Sequence, residues 1–583
     1  MSGLSEEVIE TDVLIIGSEG AGSRAAIEAA KAGIKVNIVT KGRQGKSGAT
    51  VCADMDIDMD SKSVRDLLGL PGDPRDGPEA FFEDMVVEGK YMNNQKLVEI
   101  HVREAPIRIK ELVDWGMKVF DLAAAPGHRY PRGLLSTGAQ MMKALKNEVK
   151  KSGIEVIEDT MITDLLTNKG RVAGALGIDL RTGEFVVFRA KAVVLAAGGI
   201  MRIYPYTTAA EELTGDGQAM AFRAGAELVD MEFPMFLPTC LLKPSAMQGV
   251  DLPYIMATVL GGYMLNKYGE RYMKKWDPER MECSTRDVAS IAQMMEIMEG
   301  RGSPSGGTYV SLKHLPYNLI RDSEEWVPWW RKWRYGGFDL KEFFPNFPSE
   351  AFETIPACHY SNGGIRINER CETIVAGLYA AGECQGGVMG ANRLSGNAVT
   401  ECVVWGTRAG RYAAEYATRT KLLKIDEIQL KSLQNKVLRP IERKEGISPV
   451  ELKKQIQRLA WKNVGPIRDG VSLEKTIEEI ERMKRKYLPR LFVASKDSVY
   501  NREWIDALQI ENMLQVLEMI SRASLMRKES RGAMYRKDYP DTDNDKWLKN
   551  VLIIRRAETM QLVTKPVVTT RLIPLKGLKP WPG

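Results

Sequence analysis

Residues 15–22 read "IIGSEGAG", one letter away from the G-x-G-x-x-G turn of a dinucleotide-binding βαβ unit. Glu19 stands where the second glycine belongs. A carboxylate beside a pyrophosphate is costly, since like charges about 4 Å apart repel by roughly 4 kcal/mol at an effective dielectric near 20. The surroundings nevertheless fit the unit. "TDVLIIG" (11–17) has the pattern of a buried strand, an alanine-rich helix follows through Ala32, Gly33 caps it, and "KVNIVTK" (35–41) is a second strand. Gly17 suits the tight turn, Gly22 suits close helix–strand packing, and Gly20 can take over the close backbone approach. The helix amino terminus offers amides to a phosphate, provided that Glu19 turns outward, toward Arg24 or Lys41. Thr40 and Lys41 end the second strand, where an ordinary NAD site places an acid.

Three further glycine-rich strand ends accompany this one: "AKAVVLAAGGI" (190–200), "GLYAAGECQGG" (377–387) and "GANRLSGNAVTECVVWGTRAG" (390–410), the last feeding a helix. Any one could be a structural turn. Four in one chain point to an extended ligand lying across several strand ends.

The 583 residues, 44% of them hydrophobic, suffice for three or four units at about 150 residues each. With 82 basic against 76 acidic residues the net charge is +6, and no polybasic run argues for nucleic acid. "MSGLSEEVIE" lacks the basic and apolar regions of a signal peptide, and no apolar run reaches the roughly 18 residues of a membrane span. The expected location is cytoplasmic, with any membrane association running through a partner. Seven scattered cysteines include no C-x-x-C pair, so no metal site or cluster is expected in the chain.

The order of "IIGSEGAG", "KSGAT", "VVLAAGG", "TGDGQAMAFRAGAEL", "MEFPMFLPT", "LNKYGERYM", "HYSNGGI", "GLYAAGE", "GANRLSGN" and "ESRGAMYRKDYP" resembles the flavoprotein subunits of the succinate dehydrogenase, fumarate reductase and L-aspartate oxidase superfamily, over residues from about 11 to 545. The resemblance implies an α/β fold: a Rossmann-like FAD-binding domain with an inserted α+β capping domain and a C-terminal helical domain. The FAD-binding domain would comprise 1–235 and 350–415, the cap 236–349, the helical domain 416–540 and an extended tail 541–583. "WVPWWRKWRYGG" (326–337) reads as cap surface, and "SLEKTIEEIERMKRKYLPRL" (472–491) as a solvated helix.

The cofactor implied is FAD. Its expected contacts are Gly17, Gly20, Ala21 and Gly22 of the first turn, Thr40 and Lys41, Ser47, Gly48 and Thr50 of "KSGAT", Ala197, Gly198 and Asp216. Glu383 would hold ribityl or ribose hydroxyls, and Arg393, Ser395, Asn397 and Ala398 would lie along the isoalloxazine edge. Some relatives carry a covalently attached histidine where this chain has Gly48, which implies non-covalent flavin. The implied partners are a small acidic substrate and an iron–sulfur electron-transfer subunit, with Arg531, Arg536 and Asp538 near that interface unless they form a solvated loop.

Hydride chemistry on an acid needs fixed cations and one moving proton. Arg286 in "CSTRDVAS" matches the family's catalytic arginine, while His359 and Arg393 match its substrate-clamping histidine and arginine. Arg286 could instead form a helix-surface pair with Asp287, and His359 could be a core histidine. The family's substrate histidine corresponds to Leu237, and its Thr-Glu pair and second arginine to Tyr254, Ile255 and Thr258. The relay acid is therefore missing. A dicarboxylate's second charge would be unpaired there, so a monoacid or acyl thioester is expected over fumarate or succinate. Two alternatives stand beside this: adenylylsulfate-reductase-like chemistry, and a flavin-bearing scaffold whose active site has decayed.

Overall fold

In a computed structural model that describes residues 6–326, 340–557 and 559–574, the strand Glu6–Ile16 lies at the centre of a seven-stranded sheet. It pairs in parallel with Val36–Val39 on one side and Phe185–Leu195 on the other. Glu155–Ile157 extends the parallel run beyond Val36–Val39, and Leu378–Ala380 also pairs in parallel with Phe185–Leu195. An antiparallel pair, Thr160–Asn168 and Arg171–Asp179, completes the sheet. Val13, Leu14 and Ile15 are fully buried, as a strand covered on both faces requires.

The first helix, Gly20–Ala30, ends two residues before the expected Ala32, with Lys31 as its cap; Gly33 follows in the left-handed conformation at φ +69°. It packs on Asn397–Thr418, the long helix after the last glycine-rich loop. Glycines permit this contact. A Cβ on Gly406 would come 2.6 Å from the Ala21 carbonyl oxygen, and one on Gly410 2.0 Å from that of Ala25. The i, i+4 spacing puts both on one helix face, so residues near 20 and near 400 build one wall.

A second sheet, antiparallel, orders Pro234–Leu241, Phe352–Ser361, Thr308–Ser311 and Tyr263–Leu265. The helices Leu252–Thr258 and Arg286–Met298 pack with it. A small sheet of Asp54–Asp58, Gly133–Thr137 and Asp121–Ala123 lies near the amino end of Asn397–Thr418. Most of "WVPWWRKWRYGG" lies outside the described residues. Helices Glu427–Glu442, Pro449–Val464, Gly470–Lys486 and Arg502–Met526 follow.

The segment expected as an extended tail departs from expectation. Lys549–Arg556 and Thr559–Pro566 form an antiparallel hairpin that joins Leu228–Val229 in a five-stranded sheet. The apolar residues Val551, Leu552 and Ile553 are buried there. "ESRGAMYRKDYP" is no solvated loop: Arg531 and Arg536 are buried, and Arg531 pairs with Glu529 and donates to the Lys90 carbonyl.

Arg527 anchors the same region. It is fully buried between Phe233 and Trp547 and pairs with Glu232 at 2.8 Å and Glu529 at 2.9 Å, both also fully buried. Arg527→Ala leaves two carboxylates without this cation, and the expected loss is about 3–5 kcal/mol of stability. Urea denaturation checks it; an unchanged midpoint contradicts the assignment.

Candidate active site

The carboxyl ends of the parallel strands open on one cavity of about 1160 Å³, the place where open α/β sheets bind ligands. Every residue expected at the cofactor borders it except Gly22 and Asn397, and Arg286 and His359 border it as well. Gly22 packs inward: a Cβ there would lie 1.9 Å from the Gly17 carbonyl oxygen. Asn397 braces the turn from behind, donating to Asp58 at 2.8 Å and meeting His101 Nε2 at 3.0 Å. The cradle suits a dinucleotide. Gly17 turns at φ +109°, and a Cβ on it would meet the Ala196 carbonyl oxygen at 2.1 Å, so only bare backbone fits between the two strand ends.

Glu19 does not reach Arg24 or Lys41. Its carboxylate accepts from the Gly45 amide at 3.3 Å and the Val51 amide at 3.2 Å. Arg24 is buried against Glu28, Glu111 and the Trp115 ring, and Lys41 holds Asp216 at 2.8 Å. Burial, opposed only by the two amides, pushes the Glu19 carboxyl up to about 7. For Asp216, burial acts to raise the pKa, but Lys41, Asn512 and Thr214 outweigh it and the group stays ionised more readily than usual. Glu383 accepts from the Ser361 amide at 2.9 Å, and burial raises it to about 8.

The opposite end of the cavity is cationic. Arg286 is the first residue of its helix, with Thr285 as N-cap. It donates from Nη2 to Ser395 Oγ at 2.7 Å, and Ser395 donates to Asp56 at 3.0 Å. The surface pair with Asp287 does not form; Asp287 is buried and faces Lys90 at 3.3 Å. Arg393 lies 4.6 Å over the Tyr360 ring, and Tyr360 donates to buried Glu401. Burial, then the neighbouring Arg286, lowers Arg393 to about 10, so it is still charged at neutral pH. His359 Nδ1 shares a 2.8 Å hydrogen bond with Thr208 Oγ1. Burial, then Arg393 and Arg286, hold its pKa well below the usual range, so the ring is neutral.

Three buried polar atoms here lack a hydrogen bond of good geometry, Arg286 Nη1, Arg393 Nε and Tyr254 Oη, although the Arg286 guanidinium lies close to Tyr254, 5.8 Å from its ring centre, and the two attract each other. Buried donors without partners are rare, and two guanidinium donors around one cavity face describe an anion's place. The adjoining wall is apolar. Leu237, Cys240, Tyr254 and Ala357 form one buried cluster, and Ile255 is 9% exposed.

Sequence reasoning missed Asp56, Thr208 and Tyr360. Asp56 was findable: "DMDIDMD" places acids two apart on a strand, hence on one face. Thr208 had no local signal. Among the described residues the seven cysteines form no disulfide, and no group of three or more metal-binding side chains forms.

Compared with known proteins, residues 12–399 match the FAD binding domain family model and residues 453–579 the fumarate reductase flavoprotein C-terminal model. A protein of Methanothermobacter marburgensis, named as one of the subunits of fumarate reductase (CoM/CoB), is 37% identical over 95% of this chain and 99% of that protein. A fumarate reductase flavoprotein subunit of Mycobacterium tuberculosis is 32% identical over 97% and 98%. Among solved structures, Escherichia coli quinol fumarate reductase superposes with a TM-score of 0.87 at 28% identity, covering 99% of this chain and 100% of that one. Mycobacterium smegmatis Sdh1 gives 0.85 at 31%, covering 97% and 96%. Adenylylsulfate reductase of Archaeoglobus fulgidus, at 21% identity and 0.76, shares the fold.

Four buried glutamates carry raised pKa values through burial: Glu19, Glu88 and Glu401 to about 7, and Glu383 to about 8, against 4.5 for an ordinary glutamate. Each keeps its proton in the fold where the unfolded chain has lost it. Their stabilisation is therefore full below about 4.5 and disappears as pH rises through 7 to 8. The lowered histidines oppose this trend only below 6.5, so the comparison is made above that pH. The apoprotein's urea midpoint should fall from pH 6.5 to pH 8.5; a rising midpoint refutes these assignments.

Proposed function

As a member of the FAD-binding flavoprotein family that includes fumarate reductase and succinate dehydrogenase subunits, the chain is an FAD-dependent oxidoreductase, and we propose that it moves a hydride between FAD and a small acid with one carboxylate and an uncharged far end. The observation that carries this reading is the pairing of two buried, under-bonded guanidiniums, Arg286 and Arg393, with the apolar wall of Leu237, Tyr254 and Ile255. A single carboxylate satisfies the first. A second carboxylate against the wall would cost several kcal/mol.

Bound FAD supplies the hydride acceptor and donor. Arg393 and neutral His359 hold the carboxylate, and Arg286 places its guanidinium beside the reacting carbon. In the reductive direction Arg286 gives that carbon a proton. Asp56, partly buried at the cavity wall, passes a proton through Ser395 Oγ back to Arg286. In the oxidative direction the proton runs the other way. This route reaches Arg286 without an acid at Ile255, where the resemblance places the one that this chain lacks.

We also propose non-covalent flavin, because Gly48 carries no side chain to bond it, and, as electron partner, an iron–sulfur protein. Both the Methanothermobacter and the Mycobacterium relative are named as subunits. A second reading, fumarate itself as substrate, draws support from the names of those relatives.

Acid precipitation of the holoprotein should leave the yellow colour in the supernatant; colour in the pellet contradicts non-covalent binding. Anaerobically photoreduced holoprotein should be reoxidised by crotonate or crotonyl coenzyme A at least about tenfold faster than by fumarate, a preference worth about 1.4 kcal/mol. Faster reoxidation by fumarate establishes the second reading, and none by any acid points to a decayed site. Asp56→Asn and Ser395→Ala should slow reoxidation by about 10²-fold with unchanged flavin spectra. Equal rates would remove them from the proton path.

A further inference from the structure

Glu19 is the residue of the dinucleotide turn that the fold does not require, and its surroundings give it a task. The residue is extended, at φ −79° and ψ −159°, so the backbone is unstrained. Its side chain makes no bond to the helix it precedes, whose amino end stays open to a phosphate. Instead it crosses to the loop after the second strand and takes the amides of Gly45 and Val51, one on each side of Gly48. Gly48 stands at φ +85°, and a Cβ on it would come 2.6 Å from Glu19 Cγ. The glutamate thus fills the space that a side chain at position 48 would need. Glu19, Gly48 and Thr50 all border the cavity, so the clasp closes on the cofactor's own wall.

No cation neutralises this carboxylate. Lys41 is committed to Asp216 and to the Glu212 carbonyl. Arg43 is exposed and pairs with Asp159, Lys46 is exposed, and Lys146 donates to the Gln44 carbonyl. The charges that face it are unfavourable: the Glu212 carboxylate repels it, and the Cys402 thiol on the long helix adds no positive charge. FAD brings a doubly negative diphosphate to the same turn. Two anions at one helix terminus are relieved if one of them takes a proton, and the diphosphate is much the stronger acid.

We propose that Glu19 is a cofactor-positioning residue: it clasps residues 45–51 against the dinucleotide turn and enters the complex with FAD as a neutral carboxylic acid, so that a proton is taken up from solvent as FAD binds. As a neutral acid it accepts from one loop amide through its carbonyl oxygen while its hydroxyl can donate toward the cofactor. The free protein already holds the group near neutrality, at about 7, and the incoming negative charge raises it further. Affinity for FAD then weakens as pH rises from the free-state value toward the bound-state value, by up to tenfold per pH unit for one proton. The inference rests on FAD as cofactor and is independent of the substrate reading.

The test is calorimetric titration of FAD into the apoprotein at pH 7.5, in two buffers of different ionisation enthalpy, for the wild type and Glu19→Gln. The wild type should take up more protons than the variant, by up to one, and its Kd should rise between pH 7 and 9 while the variant's stays flatter. Glu383 also borders the cavity and can titrate, which is why the difference between the two proteins is the readout. Glu19→Gly, which removes the clasp, should speed FAD release at least about tenfold, measured by recovery of flavin fluorescence. Should the Gln variant fail to fold, the difference infrared spectrum of wild-type FAD binding replaces it, with the carbonyl band of a protonated acid expected and lost in Glu19→Gly. Equal proton counts in wild type and Glu19→Gln, or no such infrared band, overturn the proposal, as does unchanged FAD release from Glu19→Gly.

Discussion

The site depends on backbone touching backbone at four glycines. Gly17 lies against the end of the Phe185–Leu195 strand, Gly22 against Gly17, and Gly406 and Gly410 against the first helix, each where a Cβ would come within 2.6 Å of a carbonyl oxygen. These contacts do what no side chain could. They bring strand ends close enough to present amides and carbonyls along one trough, and they fix the helix that starts at Asn397 beside the helix that starts at Gly20. The loop before Asn397 is thereby placed over the first turn, which is how Arg393 and Ser395, nearly 400 residues along the chain, face Gly17 and Gly20 across one cavity.

Much of this was legible because it is local and periodic. The strand at 11–17, the helix behind it and the glycine-ended strand tips each carry their own pattern, and the parallel pairings follow once those patterns are read together. What escaped was set by long-range packing. The hairpin at 549–566 was hidden because the proline-rich residues that follow dominated the reading of the tail, although "VLII" (551–554) already has the composition of a buried strand. Glu19 was assigned to nearby cations by charge alone, whereas burial left it to backbone amides 26 and 32 residues further along. Asn397 was expected on the cofactor because its neighbours are; a helical start turns it toward Asp58 instead.

The electrostatics of the cavity divide along its length. Toward Arg286 and Arg393, two cations share a confined space with a neutral histidine, and burial and mutual repulsion lower Arg393 to about 10. An arriving carboxylate relieves that repulsion and fills the open donors, so binding energy is concentrated where a substrate anion sits. Toward the dinucleotide turn the balance inverts: Glu19 and Glu383 are acids held near or above neutrality by burial. Protonated, they are donors, which an extended polyol and diphosphate can use. One cavity thus combines buried guanidiniums with two acids whose pKa values burial raises to about 7 and 8.

That division bears on how the chain can work without an acid at Ile255. A relay needs a proton donor in contact with solvent and a path of hydrogen bonds to the reacting group, and it does not need a particular side of the pocket. Asp56 is partly buried on a short strand, Ser395 stands between it and Arg286, and both hydrogen bonds are within 3.0 Å. The hydroxyl accepts from the guanidinium and donates to the carboxylate. On the proposed route through Ser395, Ile255 does not have to carry an acid. On the proposed function, Leu237 and Ile255 then serve the uncharged end of the substrate.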